Sequence, residues 1–136
     1  MKYGIYYAYW EKEWNGDYKY YIDKISKLGF DILEISCGAF SDYYTKDQEL
    51  IDIGKYAKEK GVTLTAGYGP HFNESLSSSE PNTQKQAISF WKETLRKLKL
   101  MDIHIVGGAL YGYWPVDYSK PFDKKRDLEN SIKNMK

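Results

Sequence analysis

The chain reads as an α/β protein made of repeated βα units, the N-terminal half of an eight-stranded (β/α)8 TIM barrel. Three observations predict this. Strand-like runs alternate with helix-like runs at intervals of roughly 30 to 40 residues, the spacing of right-handed βαβ units around a parallel sheet. Aromatic residues and glycines cluster just past the ends of the strand runs, where barrels build their sites. The 136 residues are about half of the ~250 that a complete barrel uses. A doubly wound sheet would carry a glycine-rich nucleotide turn after its first strand. Here that segment reads YWEKEWNGDY, and no GxGxxG or GKS/T occurs anywhere.

Each element has its own signal. Strand 1 is expected over Gly4 to Ala8, followed by a loop with Trp10 and Trp14 and by Asp17 as a helix N-cap. Helix 1 then buries Tyr18, Tyr21, Ile22, Ile25 and Leu28, three and four residues apart, and Gly29 ends it. Strand 2 is Ile32 to Ser36. Thr45 and Gln48, three apart as in a capping box, open helix 2, which turns Leu50, Ile53 and Ala57 inward and ends at Gly61. Strand 3 is Val62 to Ala66. After a loop rich in Ser, Asn and Pro, Pro81 opens helix 3, with Ala87, Ile88, Trp91, Leu95 and Leu98 as its inner stripe. Strand 4 is Ile103 to Val106. Leu128, Ile132 and Met135 mark one face of a fourth helix, truncated at Lys136. Residues 1–136 thus read as one partial barrel domain.

Composition limits the function. Twenty basic and 19 acidic residues give a net charge of +1, mixed along the chain, so no field exists to hold a nucleic acid or an anionic membrane. The single cysteine, Cys37, excludes an internal disulfide framework and a cysteine-based zinc cage and suits a reducing compartment. No basic, apolar leader and no spanning run is present, so a cytoplasmic chain is expected.

The 14 Tyr and 4 Trp are unusually many, and they gather in GIYYAYWEKEW (residues 4 to 14) and GGALYGYWPVDY (107 to 118). Flat aromatic faces match the apolar face of a sugar, and adjacent glycines let backbone groups approach its hydroxyls. Trp14 and Trp114 fall in loops rather than on helix stripes, which favours a ligand role. Tyr6 lies on a strand, where an aromatic is more often core. Trp91, at helical spacing with Ile88 and Leu95, reads as core. Glu34 ends strand 2, either as an acceptor at the barrel mouth supporting the site or paired with a neighbouring Arg, Lys or backbone N–H. His71 and His104 are too far apart to make a metal site by themselves. Cys37 has no basic neighbour and reads as a buried, inert thiol.

The segments MKYGIYYAYWEKEW, KLGFDILEI, GVTLTAGYGP and MDIHIVGGALYGYWPVDY resemble the N-terminal half of the ketose 3-epimerases, the D-psicose (D-allulose) and D-tagatose 3-epimerase group. The resemblance runs from residue 1 to about 125. It implies a xylose isomerase-like barrel, a divalent manganese or cobalt cofactor, and inversion of C3 of a free ketohexose through a cis-enediolate by two glutamates. It also implies a homo-oligomer, dimer or tetramer, when complete. The family's metal and catalytic residues lie on strands 5 to 8, so none is expected among these residues. Matched residue by residue, the resemblance places Tyr6, Trp14, Gly67, Tyr68, Ala109, Leu110 and Trp114 against the carbon chain and the C4 to C6 end of the sugar. Two alternatives stay open. One is a non-catalytic half-barrel that binds sugar or pairs with itself or a second chain. The other is a different barrel of the sugar isomerase and endonuclease-like group, for which a DNA-acting member would need basic loops.

Overall fold

The computed structural model describes residues 1–14, 16–38, 44, 46–119 and 122–136. Among them are four strands, β1 (Gly4–Tyr6), β2 (Ile32–Ser36), β3 (Thr63–Tyr68) and β4 (Val106–Gly108). Four α-helices alternate with them, α1 (Tyr18–Leu28), α2 (Asp47–Glu59), α3 (Pro81–Leu100) and α4 (Lys124–Asn134). The strands make one sheet in the order β1-β2-β3-β4, and β2 pairs in parallel with both β1 and β3. Strands adjacent in the sheet are also adjacent in sequence. A doubly wound sheet reverses its order at a switch point; right-handed crossovers that step always to the next strand give the winding of a barrel wall.

The chain divides into two compact units, Met1–Gly67 with Thr94–Gly107, and Tyr68–Glu93 with Gly108–Lys136. In the first, Leu33 and Ile35 of β2 and Tyr18, Ile22 and Ile25 of α1 are wholly buried, because a strand's alternate residues and a helix's three-and-four stripe meet face to face. Asp17 caps α1, accepting from the backbone N–H groups of Lys19 and Tyr20. Gly29 takes the left-handed conformation (φ 80°) that stops the helix. Leu50, Ile53 and Ala57 are the buried face of α2.

Several boundaries differ from those the sequence predicts, each for a local reason. β1 ends at Tyr6, and Tyr7–Tyr9 form a 3-10 turn. Tyr7 is drawn out of the ladder because its ring packs edge-on to Tyr18 at 5.4 Å and its hydroxyl donates to the Trp14 carbonyl at 2.7 Å. Leu28 is 58% exposed, since it is the last helical residue and the chain turns away at Gly29. Thr45 lies outside the described residues; α2 starts one residue after Lys46, which makes no side-chain cap, and the Gln48 amide bonds Asp52 instead. Acidic Asp47 and Glu49 in the first turn complement the positive end of the helix dipole there. α2 stops at Glu59, with Gly61 turning the chain at φ 70°.

β3 runs from Thr63 to Tyr68, later than predicted. β4 likewise starts only at Val106, because the Ile103 N–H is used to close the end of α3 on the Leu98 carbonyl at 3.0 Å. His104 therefore precedes the strand, exposed and paired with Asp102 at 2.8 Å. On α3 the buried residue between Trp91 and Leu98 is Thr94, and Leu95 is 53% exposed. Leu128 and Ile132 of α4 and Met135 at its end are exposed too, and the helix turns Ser131 inward instead. Polar side chains, not the apolar stripe, dock it: Asn130 donates to the carbonyls of Ser77 and Ser78, Asn134 to that of Leu76, and Ser131 to that of Tyr111. No helix among the described residues is long and apolar enough to cross a membrane.

Candidate functional site

Four of the candidate residues belong to the first unit. Tyr6 ends β1, opposite Glu34 of β2 in the ladder. Its ring meets Tyr7 edge-on at 5.3 Å and lies 6.1 Å from Trp14. Partial burial raises the Tyr6 phenol above its ordinary pKa, a hydrogen bond with the Ser36 side chain offsets part of this, and the nearby Glu34 carboxylate adds to it. Tyr6 is thus a neutral phenol at physiological pH, a donor and acceptor beside an aromatic face. Trp14 is 66% exposed, yet its backbone is fixed by the buried Tyr7 hydroxyl. An exposed ring on an anchored backbone is a surface ready to stack.

Gly67, predicted to follow β3, is inside it. A side chain there would place its Cβ 2.6 Å from Glu34 Oε1, so the glycine makes room for that carboxylate. Among the described residues no hydrogen bond or ion pair engages it.

The other candidates lie in the second unit. Tyr68 is the last residue of β3, half-buried between Phe90 and Trp91 at 5.6 and 6.1 Å. Its hydroxyl donates to Glu74 Oε2 at 2.7 Å, and the same oxygen accepts the His71 backbone N–H at 2.7 Å. Ala109 and Leu110 follow β4 directly, and the Ala109 N–H donates to the Tyr68 carbonyl at 3.1 Å. Trp114 is 63% exposed, while its N–H donates to the Pro70 carbonyl at 2.7 Å and its Cβ packs over Gly69. The structure therefore brings Tyr68, Ala109 and Trp114 together on one backbone framework. Trp91 is core, its indole N–H donating to the Glu74 carbonyl.

Sequence reasoning passed over Tyr7, Glu74 and Ser131, which hold Trp14, Tyr68 and the loop after β4, and over Asn130 and Asn134, which fix α4 to the loop before α3. Asn130 and Asn134 were the readable signal, being four apart and so on one helix face. Nothing in spacing marks Glu74, whose partners are six and three residues upstream.

Cys37 is buried, and burial pushes its thiol up to about 12. At pH 8 its thiolate fraction is then about 10⁻⁴, against roughly a quarter for a free cysteine. A disulfide reagent is expected to label the folded chain at least a hundredfold more slowly than the urea-unfolded chain; comparable rates would show that the thiol is accessible. Among the described residues no three His, Cys, Asp or Glu side chains converge where a metal ion could be held.

No family profile matches the chain. The chain is 56% identical to the D-psicose 3-epimerase of Enterocloster bolteae over all 136 of its residues, which are 45% of that protein. It is 48% identical, again over its whole length, to the D-psicose 3-epimerase of Ruminiclostridium cellulolyticum, of which it covers 46%. The structure of the D-psicose 3-epimerase from Clostridium cellulolyticum H10, solved with D-tagatose, superposes on 99% of the chain at a TM-score of 0.94 with 49% identity, and 46% of that protein is covered. An L-ribulose 3-epimerase shares the fold at a TM-score of 0.81 with 15% identity. The chain spans about half the length of the curated relatives it matches. It is homologous to the D-psicose 3-epimerases and matches the N-terminal portion of their barrel.

Proposed function

We propose that this chain, homologous throughout its length to the N-terminal half of D-psicose 3-epimerases, forms the sugar-facing wall of a ketose 3-epimerase. The similarity to the Enterocloster bolteae enzyme over every residue carries this reading. Trp14 and Trp114, each exposed on an anchored backbone, support it. The reaction is inversion at C3 of a free ketohexose of the D-fructose and D-psicose type. A proton leaves C3 beside the C2 carbonyl, a cis-enediolate forms, and a proton returns to the opposite face. A divalent manganese or cobalt ion belongs to the complete enzyme, where it supplies charge stabilisation for the developing enediolate. This chain's own part in the reading is binding. Trp14 and Trp114 stack on the carbon chain, Tyr6 and Tyr68 flank it with ring faces and hydroxyls, and Gly67, Ala109 and Leu110 let backbone approach the C4 to C6 end. The complete enzyme is a cytoplasmic homo-oligomer, a dimer or tetramer.

Residues 1–136 joined to the C-terminal half of the Enterocloster bolteae enzyme should interconvert D-fructose and D-psicose, measured by chromatography. A folded, manganese-loaded hybrid that epimerises no ketohexose would sink the reading. In the active hybrid, Trp114→Ala is expected to raise KM for D-psicose about tenfold, the loss of one stacking contact of ~1.4 kcal/mol, with manganese affinity unchanged. Loss of manganese instead would move Trp114 out of the sugar wall.

The exposed Leu128, Ile132 and Met135 on α4 favour a second reading, a half-barrel that pairs with itself or with a separate chain. The intact mass of the protein from its host separates the two: 15.9 kDa supports the pairing reading, and about twice that mass supports the epimerase.

A further inference from the structure

Helix α4 inverts the usual arrangement of a surface helix, which buries its apolar stripe. Its least exposed residues are Asp127, Asn130, Ser131 and Asn134, all polar, and their spacing of three and four puts them on one face. Leu128 and Ile132 are exposed. Among the described residues, hydrogen bonds rather than apolar burial dock the helix. Asn130 donates to the carbonyls of Ser77 and Ser78 at 3.1 and 3.2 Å, Asn134 to that of Leu76 at 2.8 Å, and the buried Ser131 hydroxyl to that of Tyr111. Apolar packing is non-directional, whereas a hydrogen bond accepts only a narrow range of distance and angle. A helix docked by such bonds fixes the position of the backbone it touches.

Those carbonyls lie on two segments, and the segments meet at Trp114. Leu76, Ser77 and Ser78 continue the stretch that starts at Pro70, folded back where the Glu74 carboxylate accepts the His71 N–H at 2.7 Å. Tyr111 lies inside the turn that the Gly112 N–H closes on the Ala109 carbonyl at 3.1 Å. The Trp114 N–H then donates to the Pro70 carbonyl at 2.7 Å, and the Tyr113 ring beside it meets Phe72 edge-on at 5.2 Å. α4 thus holds both sides of the bond that anchors Trp114. The residue is 63% exposed, so the direction of its ring follows from that backbone.

We propose that Ser131, with Asn130 and Asn134, is a positioning residue for the epimerase reaction: from α4 it holds the Trp114 segment at the angle at which the ring stacks on the ketose. The proposal rests on the epimerase reading above. It gives a role to side chains that donate to the protein backbone and not to the sugar.

Amide exchange in the 136-residue chain, followed by NMR, tests the docking without the epimerase reading. Ser131→Ala should speed exchange of the Trp114 N–H about tenfold, the scale of one buried hydrogen bond, and that of Trp91, on α3 in the same unit, less than about twofold. Asn134→Asp, which keeps the size but loses the donor, should act on the same Trp114 N–H from the other segment. Equal acceleration at Trp91 would mean that these residues serve stability alone, and none at Trp114 would mean that α4 does not hold it; either result overturns the proposal. In the hybrid enzyme, Ser131→Ala should raise KM for D-psicose about three- to tenfold with kcat within about twofold. Combined with Trp114→Ala it should add nothing to the loss from Trp114→Ala alone, because it acts through that ring. Additive losses would overturn the assignment. A parent hybrid inactive on D-fructose would instead bring down the epimerase reading, and this inference with it.

Discussion

Gly108→Ala is expected to destabilise the protein by at least ~3 kcal/mol, read from urea unfolding. Gly108 has φ 106°, a conformation that costs a side-chain-bearing residue roughly 1–3 kcal/mol. Its added Cβ would also sit 2.2 Å from the Tyr68 carbonyl oxygen, deep inside any permissible contact. That carbonyl cannot retreat freely, because it accepts the Ala109 N–H at 3.1 Å. The methyl would therefore push apart the end of β3 and the start of the loop that carries Ala109, Leu110 and Trp114. Gly107→Ala is the control, since nothing lies within 4 Å of a Cβ there and its φ is ordinary; it should cost less than ~1 kcal/mol. Equal effects from the two would show that the contact with Tyr68 does not hold this corner.

Tyr18→Ala should be comparably severe. The ring is wholly buried, edge-on to Tyr7 at 5.4 Å and stacked on Tyr44 at 5.0 Å. Removing a buried aromatic costs roughly 3–5 kcal/mol. The hydroxyl donates to the Ser36 carbonyl at 3.0 Å, so the substitution also leaves a buried acceptor unmet. Tyr18→Phe keeps the packing and loses only that bond, for roughly 1–2 kcal/mol. The pair of variants, compared by urea unfolding, separates volume from hydrogen bonding. A phenylalanine variant as unstable as the alanine one would make the hydroxyl, not the ring, the centre of this core. The alanine variant also loosens Tyr7, whose hydroxyl fixes the Trp14 backbone, so in it alone Trp14 fluorescence should shift toward that of solvated indole.

Local rules made much of this protein legible. Asp17 caps and Gly29 stops α1 because a short acceptor side chain and a residue without Cβ satisfy helix ends wherever they occur. Ile32–Ser36 is a strand for a reason equally local, a β-rich run bounded by turn residues. Trp14 and Trp114 could be read as exposed because they fall off every apolar stripe. The family resemblance, too, rests on sequence words such as GGALYGYWPVDY.

Other choices depended on partners far along the chain. Whether Leu95 or Thr94 faces inward is a question of tens of degrees around α3, and the stripe rule accepts both. Whether Tyr7 continues a strand is decided by Tyr18 and Trp14, eleven and seven residues on. Leu128, Ile132 and Met135 have the spacing of a buried face, yet α4 is held by amides and a hydroxyl that find backbone carbonyls on two loops. The clearance that Gly67 gives Glu34 is a distance between residues 33 positions apart. The sequence by itself determined the βα order, the helix ends and the loops where aromatics gather, because those follow from interactions within a few residues. Only the tertiary structure decided which candidates share a framework and which side chains hold their loops, because burial and hydrogen-bond partnership are properties of packed surfaces rather than of spacing.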